Sequence, residues 1–170
     1  MKKTFFIGID PGKAGGMAVV DDGGMAVDVA AMPDTPYDLY MLLKEYADGA
    51  AIKGASVVCC LEKVGGMPGQ GGSAMFTFGR SYGWLEMALL SLGITTSVVT
   101  PQKWQRHYEV GASSITKSSA AEKREHKNKL KQRAQQLFPY LGKKITLKTC
   151  DALLIAEYCR YSEKKGGGDE

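Results

Sequence analysis

The sequence predicts a mixed α/β domain, a five-stranded sheet flanked by helices, on three observations. Three short apolar runs open the chain with only Asp, Gly and Pro between them; two later apolar runs alternate with stretches of helical period; the last third reads as helices. With 170 residues, 44% of them hydrophobic and 24% charged, the chain is long enough to bury one core without disulfides or structural zinc. Residues 1–163 are expected to form this single domain and 164–170 a flexible polar tail.

Thr4 to Ile9 is an apolar run closed by Asp10-Pro11-Gly12, which reads as a buried strand ending in a turn. Gly16 to Val20 and Met25 to Ala30 follow, split by Asp21-Asp22-Gly23-Gly24, a hairpin signal that makes the opening an antiparallel meander. Pro36 suits a first helical turn, and Leu39, Leu42, Leu43 and Tyr46 carry the helical period to about Asp48. Ser56 to Leu61 is a continuously apolar fourth strand, ended by Glu62. Ser73 to Leu92 can form a long helix that Gly93 stops, and its Phe76, Tyr82, Trp84, Met87 and Leu90 spread around the circumference. A helix of this kind is buried on more than one side, against its own core and against a second copy of the chain.

Ile94 to Val99 is the fifth strand, and Thr100-Pro101 starts a short helix holding Trp104, read as a core residue rather than a platform for bases. From about Ala120, Leu130, Ala134 and Leu137 mark the inner face of a basic amphipathic helix stopped by Pro139. A last helix spans about Thr149 to Ser162.

Composition narrows the function classes. No stretch approaches the roughly 20 apolar residues of a membrane span, so neither membrane insertion nor secretion is expected. Cys59, Cys60, Cys150 and Cys159 have no CxxC spacing and read as reduced core thiols of a cytoplasmic protein. Charge is uneven: residues 101–133 hold 9 basic and 3 acidic side chains, whereas residues 1–100 hold 7 and 10. A local basic segment suits a polyanion, although charge alone fits a solvated helix face equally well.

Three acids stand at element ends: Asp10 after the first strand, Glu62 after the fourth, and Asp151 in the first turn of the last helix. A carboxylate closing an apolar strand is costly unless paired, and open α/β sheets place ligand sites at such ends. If the first and fourth strands are neighbours, Asp10 and Glu62 repel each other and call for a cation; oxygen ligands suit Mg²⁺, with Mn²⁺ as a substitute. Two such ions about 4 Å apart activate water for in-line attack on a phosphodiester. Structural readings exist for each acid: Asp-Pro-Gly makes an ordinary turn, Glu62 has Lys63 and Arg80 as available partners, and Asp151 favours a helix N-terminus.

Gly8-Ile9-Asp10-Pro11-Gly12, Leu61-Glu62 and Cys150-Asp151-Ala152-Leu153-Leu154-Ile155-Ala156, with Phe78-Gly79-Arg80, Thr100-Pro101-Gln102-Lys103-Trp104 and Leu137-Phe138-Pro139 between them, resemble the RuvC family of Holliday-junction resolvases. The resemblance runs from about Phe5 to Arg160 and is to the short resolvase-like proteins of phages and bacteria. It implies an RNase H-like fold, a homodimer, and paired nicking of four-way DNA junctions with divalent metal held by Asp10, Glu62 and Asp151. The family usually has a further acid or histidine a few positions before the last aspartate. Here that stretch is Ile145-Thr146-Leu147-Lys148-Thr149. Either water replaces the missing ligand, or Lys148 approaches the phosphate or the attacking water, or the protein binds junctions and cuts weakly.

Phosphate contacts are expected from the basic segment, where Lys117 leads into a stripe of Lys123, Lys127 and Lys131 at helical spacing. Lys63 and Arg80 flank the proposed centre, and Met67 in the Gly65–Gly72 loop is a candidate wedge at the junction. That loop lacks the GxxxxGK[ST] order, so no nucleotide cofactor is expected, and 170 residues are too few for a two-domain ATPase of the actin type. The leading reading is a metal-dependent, structure-selective DNA endonuclease; the alternatives are a catalytically weak junction-binding module and a broader nuclease for flaps and forks.

Overall fold

The structure, a computed structural model, describes residues 3–65, 71–110 and 119–166. Its elements in chain order are β1 (Thr4–Asp10), β2 (Gly16–Val20), β3 (Ala26–Ala31), α1 (Pro36–Ile52), β4 (Ser56–Glu62), α2 (Gly72–Ser91), β5 (Thr95–Val99), α3 (Pro101–His107), α4 (Ala120–Leu137), the 3₁₀ segment η1 (Pro139–Lys144) and α5 (Cys150–Gly166). The five strands form one sheet in the order β3-β2-β1-β4-β5. The meander β1-β2-β3 is antiparallel, and β4 and β5 run parallel to β1. This is the mixed sheet of an RNase H-like fold.

Alternation along the strands divides the core into two layers. Phe5, Ile7 and Ile9 of β1 and Cys59 and Leu61 of β4 face α1 and α2. Phe6 and Cys60 face α3, α4 and α5. By the same parity Asp10 and Glu62 point to the α5 side. All four cysteines are buried free thiols, with the adjacent pair on opposite layers as the strand period requires.

Helix α5 is buried on nearly its whole first half, from Cys150 to Ala156. It lies against β1 because Gly8 has no side chain: a Cβ there would sit 2.2 Å from the Ala156 nitrogen and 2.3 Å from the Ala152 carbonyl. The small pair Ala152 and Ala156 completes this close approach, which carries Asp151 to the end of β1. Ser119 caps α4 by accepting from the Glu122 N–H at 3.2 Å while Glu122 accepts from the Ser119 N–H at 2.6 Å, a reciprocal capping box spelled out in the sequence.

Two expectations need correction. Leu137 is exposed and Phe138 takes its place in the core, because α4 ends at Leu137 and the chain turns inward at the next residue. Helix α5 runs to Gly166, beyond Ser162, so Lys164 and Lys165 belong to the helix; Lys164 Nζ donates to the Asp22 carbonyl at 2.8 Å. Helix α2 buries only Leu85, Ala88 and Leu89, leaving Phe76, Met87 and Leu90 on its outer face in the protomer.

Candidate active site

The register of β1 on β4 pairs Ile9 with Leu61, which sets Asp10 and Glu62 side by side at the strand ends. Asp10 leaves the sheet through a tight turn in which the Gly15 N–H donates to the Gly12 carbonyl at 3.0 Å. Gly15 has to be glycine, since a Cβ would come within 2.0 Å of the Asp10 carbonyl oxygen. Asp151 arrives from the first turn of α5, and all three acids are largely buried. The fold therefore brings Asp10, Glu62 and Asp151 near enough to one another for their charges to interact.

Their electrostatics reflect that crowding. Burial, then the charge of Asp151, pushes the Asp10 carboxyl up to about 6. Glu62 is pushed up to about 8 by burial and by Asp10, against the lowering effect of a hydrogen bond from Trp104. That bond runs from the indole Nε1–H to Glu62 Oε1 at 2.8 Å, and Trp104 is wholly buried. Trp104 was legible as a core residue, but its polar role was not: nothing in the sequence pairs residues on separate elements. Neither Lys63 nor Arg80 takes up Glu62. Lys63 is exposed, and the Arg80 guanidinium lies 5.2 Å from the Trp84 ring centre.

Lys127 contributes the cation. Its ammonium donates to Asp151 Oδ2 and lies 3.5 Å from Asp10 Oδ2. Burial lowers its pKa, but the charges of Asp151 and Asp10 outweigh burial and raise it, so it stays charged. It reaches the site because it precedes Leu130 and Ala134, both buried, by three and seven positions on α4, which places all three on one face. The expected stripe is thus divided: Lys123 is exposed, Lys127 enters the acidic cluster, and Lys131 borders the adjoining cleft with Lys143 and Leu147. A second cleft of about 460 Å³ opens onto Asp10 and Lys127, bordered by Lys13, Phe78 and Lys148. Met67 and Lys117 lie outside the described residues.

Clustered carboxylates are the residue type that a hard divalent cation takes, but here Asp10 and Glu62 are hydrogen-bonded to each other and the Lys127 ammonium supplies the positive charge. Among the described residues no three His, Cys, Asp or Glu side chains close around one common point, and the Lys127 ammonium lies between Asp10 and Asp151. Thr149, beside Asp151, cannot supply a fourth ligand in this arrangement: its hydroxyl donates to the Lys144 carbonyl at 2.8 Å and accepts from the Thr146 N–H at 2.8 Å. Among the described residues, no helix is long and apolar enough to cross a membrane.

Comparison with solved structures gives the class: the fold is that of RuvC Holliday-junction resolvase structures. Thermus thermophilus RuvC in complex with Holliday junction substrate superposes with a TM-score of 0.62 at 12% identity, covering 98% of this chain and 97% of that one. A second Thermus thermophilus RuvC structure gives 0.53 at 12% identity, covering 96% of each chain. No protein-family profile and no curated protein sequence matches the chain.

Proposed function

We propose that this protein is a divalent-metal-dependent, structure-selective endonuclease that nicks four-way DNA junctions as a homodimer. The convergence of Asp10, Glu62 and Asp151 at the ends of β1, β4 and α5 carries this reading. Similarity over nearly the whole chain to a RuvC that was solved with a Holliday junction supports the substrate class. Asp10 and Glu62 hold the metal, Asp151 acts from the helix, and Trp104 fixes Glu62 by occupying one of its two oxygens. A divalent ion held there would supply a lowered water pKa and positive charge beside the scissile phosphate.

The chain's own residues do the rest. Lys123 and Lys131 on α4 and Lys148 at the cleft, with Lys63 and Arg80, hold backbone phosphates without reading sequence. Lys117 and Met67 are further candidates for holding and entering the junction. The outer stripe of α2, Phe76, Met87 and Leu90, all more than half exposed, supplies an apolar surface for a second copy, which would set two identical sites against a two-fold substrate. Lys127 inside the acidic cluster favours a second reading, a junction-binding protein with little cutting.

Strand-specific nicking of a synthetic four-way junction, a flap and a linear duplex, with Mg²⁺, Mn²⁺ or chelator, separates these readings. Symmetric junction nicks that disappear in chelator are expected. Equal cutting of linear duplex would refute structure selectivity, and tight junction binding without nicks under either metal would establish the second reading.

A further inference from the structure

We propose that the exposed stack of His107 on Tyr161, flanked by Lys103 and Lys165, binds unpaired nucleotides of a single DNA strand, at a surface separate from the carboxylate centre. The inference does not depend on the chemistry of that centre and takes from the nuclease reading only that the nucleic acid is DNA.

The surface is built where α3 packs on α5. Tyr108 and Tyr158 are buried there, and the Tyr108 hydroxyl donates to the Leu154 carbonyl at 2.6 Å. Both rings stand steeply to His107, with ring centres 4.8 and 5.7 Å away, and fix the imidazole in place. Tyr161 instead stacks on His107 at 4.2 Å with the ring planes 36° apart. His107 and Tyr161 are exposed. A clamp that only joined α3 to α5 is complete with the buried pair; the exposed pair adds a π-surface in contact with water, on which a nucleobase stacks. Burial lowers the His107 pKa against the charge of Glu157, so at neutral pH the imidazole is uncharged and acts as a ring.

Helical spacing puts a lysine beside each ring. Lys103 precedes His107 by four positions on α3, and Lys165 follows Tyr161 by four on α5, in each case one turn or about 5.4 Å. Lys165 Nζ lies 5.3 Å from the Tyr161 ring centre. Both lysines are exposed, and neither takes part in an ion pair among the described residues. Glu157, whose charge acts on His107, is itself paired with Arg160. Cations that take phosphates beside rings that take bases are the means by which proteins hold single strands. In a duplex the base faces are covered by neighbouring pairs, so only unpaired nucleotides offer a face to the stack.

The surface lies outside the carboxylate centre. Trp104, one turn before His107 on the same short helix, is turned into the core to bind Glu62. Tyr161 stands ten positions after Asp151 on α5, about 15 Å along the helix.

Fluorescence anisotropy of a labelled oligothymidylate of about 12 nucleotides, within the range of single-strand sites, beside an abasic oligomer of the same length tests this. The full chain should bind the oligothymidylate about 5-fold or more tighter than the abasic oligomer. His107→Ala should remove that preference with an unchanged melting temperature. Lys103→Ala and Lys165→Ala should keep the preference while each lowers the slope of log K against log salt by about 0.7. Equal wild-type affinity for the two oligomers overturns the inference, as does an undiminished preference in His107→Ala. If His107→Ala lowers the melting temperature, His107→Phe, which keeps a ring, should restore both stability and preference; restored stability without the preference overturns the inference. Junction nicking is measured on the same preparations. Nicking without the oligothymidylate preference refutes the inference alone, whereas the preference without nicking refutes the nuclease reading and leaves the surface standing.

Discussion

Replacing Trp104 with Phe removes one N–H donor from Glu62 while retaining an aromatic ring in the core. The lost bond, 2.8 Å long and buried at both ends, is to a carboxyl that, in the proposed centre, would have to be ionised to hold metal. A hydrogen bond to a charged group contributes about 1.5–3 kcal/mol. Because the indole favours the charged carboxylate, its loss favours the neutral one and moves the Glu62 pKa further upward. At about 1.4 kcal/mol for each pH unit, the pH midpoint for Mn²⁺ binding should rise by about one to two units. Calorimetric Mn²⁺ titrations of both proteins across the neutral range measure that midpoint. A general loss of core packing would lower thermal stability at every pH and leave the midpoint unchanged, so an unchanged or lowered midpoint refutes the argument that Trp104 positions and ionises Glu62.

Gly8→Ala should prevent α5 from seating on β1, since the new Cβ meets backbone at 2.2 Å that cannot rotate away; circular dichroism melts should show destabilisation of about 3 kcal/mol or more, against which an unchanged melting temperature would count. Asp10 and Glu62 have folded pKa values of about 6 and about 8, above their ordinary 3.8 and 4.5. The folded state therefore holds protons that the unfolded state has released, and the stabilising contribution is complete at acid pH and lost as pH rises through about 8. In chelator the melting temperature should fall between about pH 5 and 8, and Glu62→Gln should flatten that fall; a rise would reverse the sign. Lys123→Ala and Lys131→Ala should each reduce the slope of log K against log salt for junction binding by about 0.9, whatever the junction's sequence, whereas an unaltered slope would remove that residue from the phosphate contacts.

Much of this architecture is visible in the residues. The five strands were legible because each is an apolar run bounded by turn chemistry, and Asp10 and Glu62 were conspicuous because a carboxylate closing an apolar strand is costly unless paired. The parallel pairing of β1 with β4 turned two distant acids into neighbours. The recurrence of Lys127 with Lys123 and Lys131 suggested one phosphate-facing stripe, yet its spacing to Leu130 and Ala134 puts it on the inner face, where it pairs with Asp151. Positional period outranked residue class, since three clustered carboxylates make an inward ammonium favourable. The Trp104–Glu62 bond spans 42 positions and arises from tertiary packing of α3, which local patterns do not encode. Similarly, the substitution of Phe138 for Leu137 in the core follows from where α4 stops, a boundary effect of one residue.

The most direct measurement is junction nicking by Asp10→Asn beside wild type, with junction affinity measured on the same preparations. The carboxylate-centre account predicts metal-dependent nicks from wild type and none from Asp10→Asn, while both proteins bind the junction. Undiminished nicking by Asp10→Asn in the presence of Mg²⁺ would contradict it.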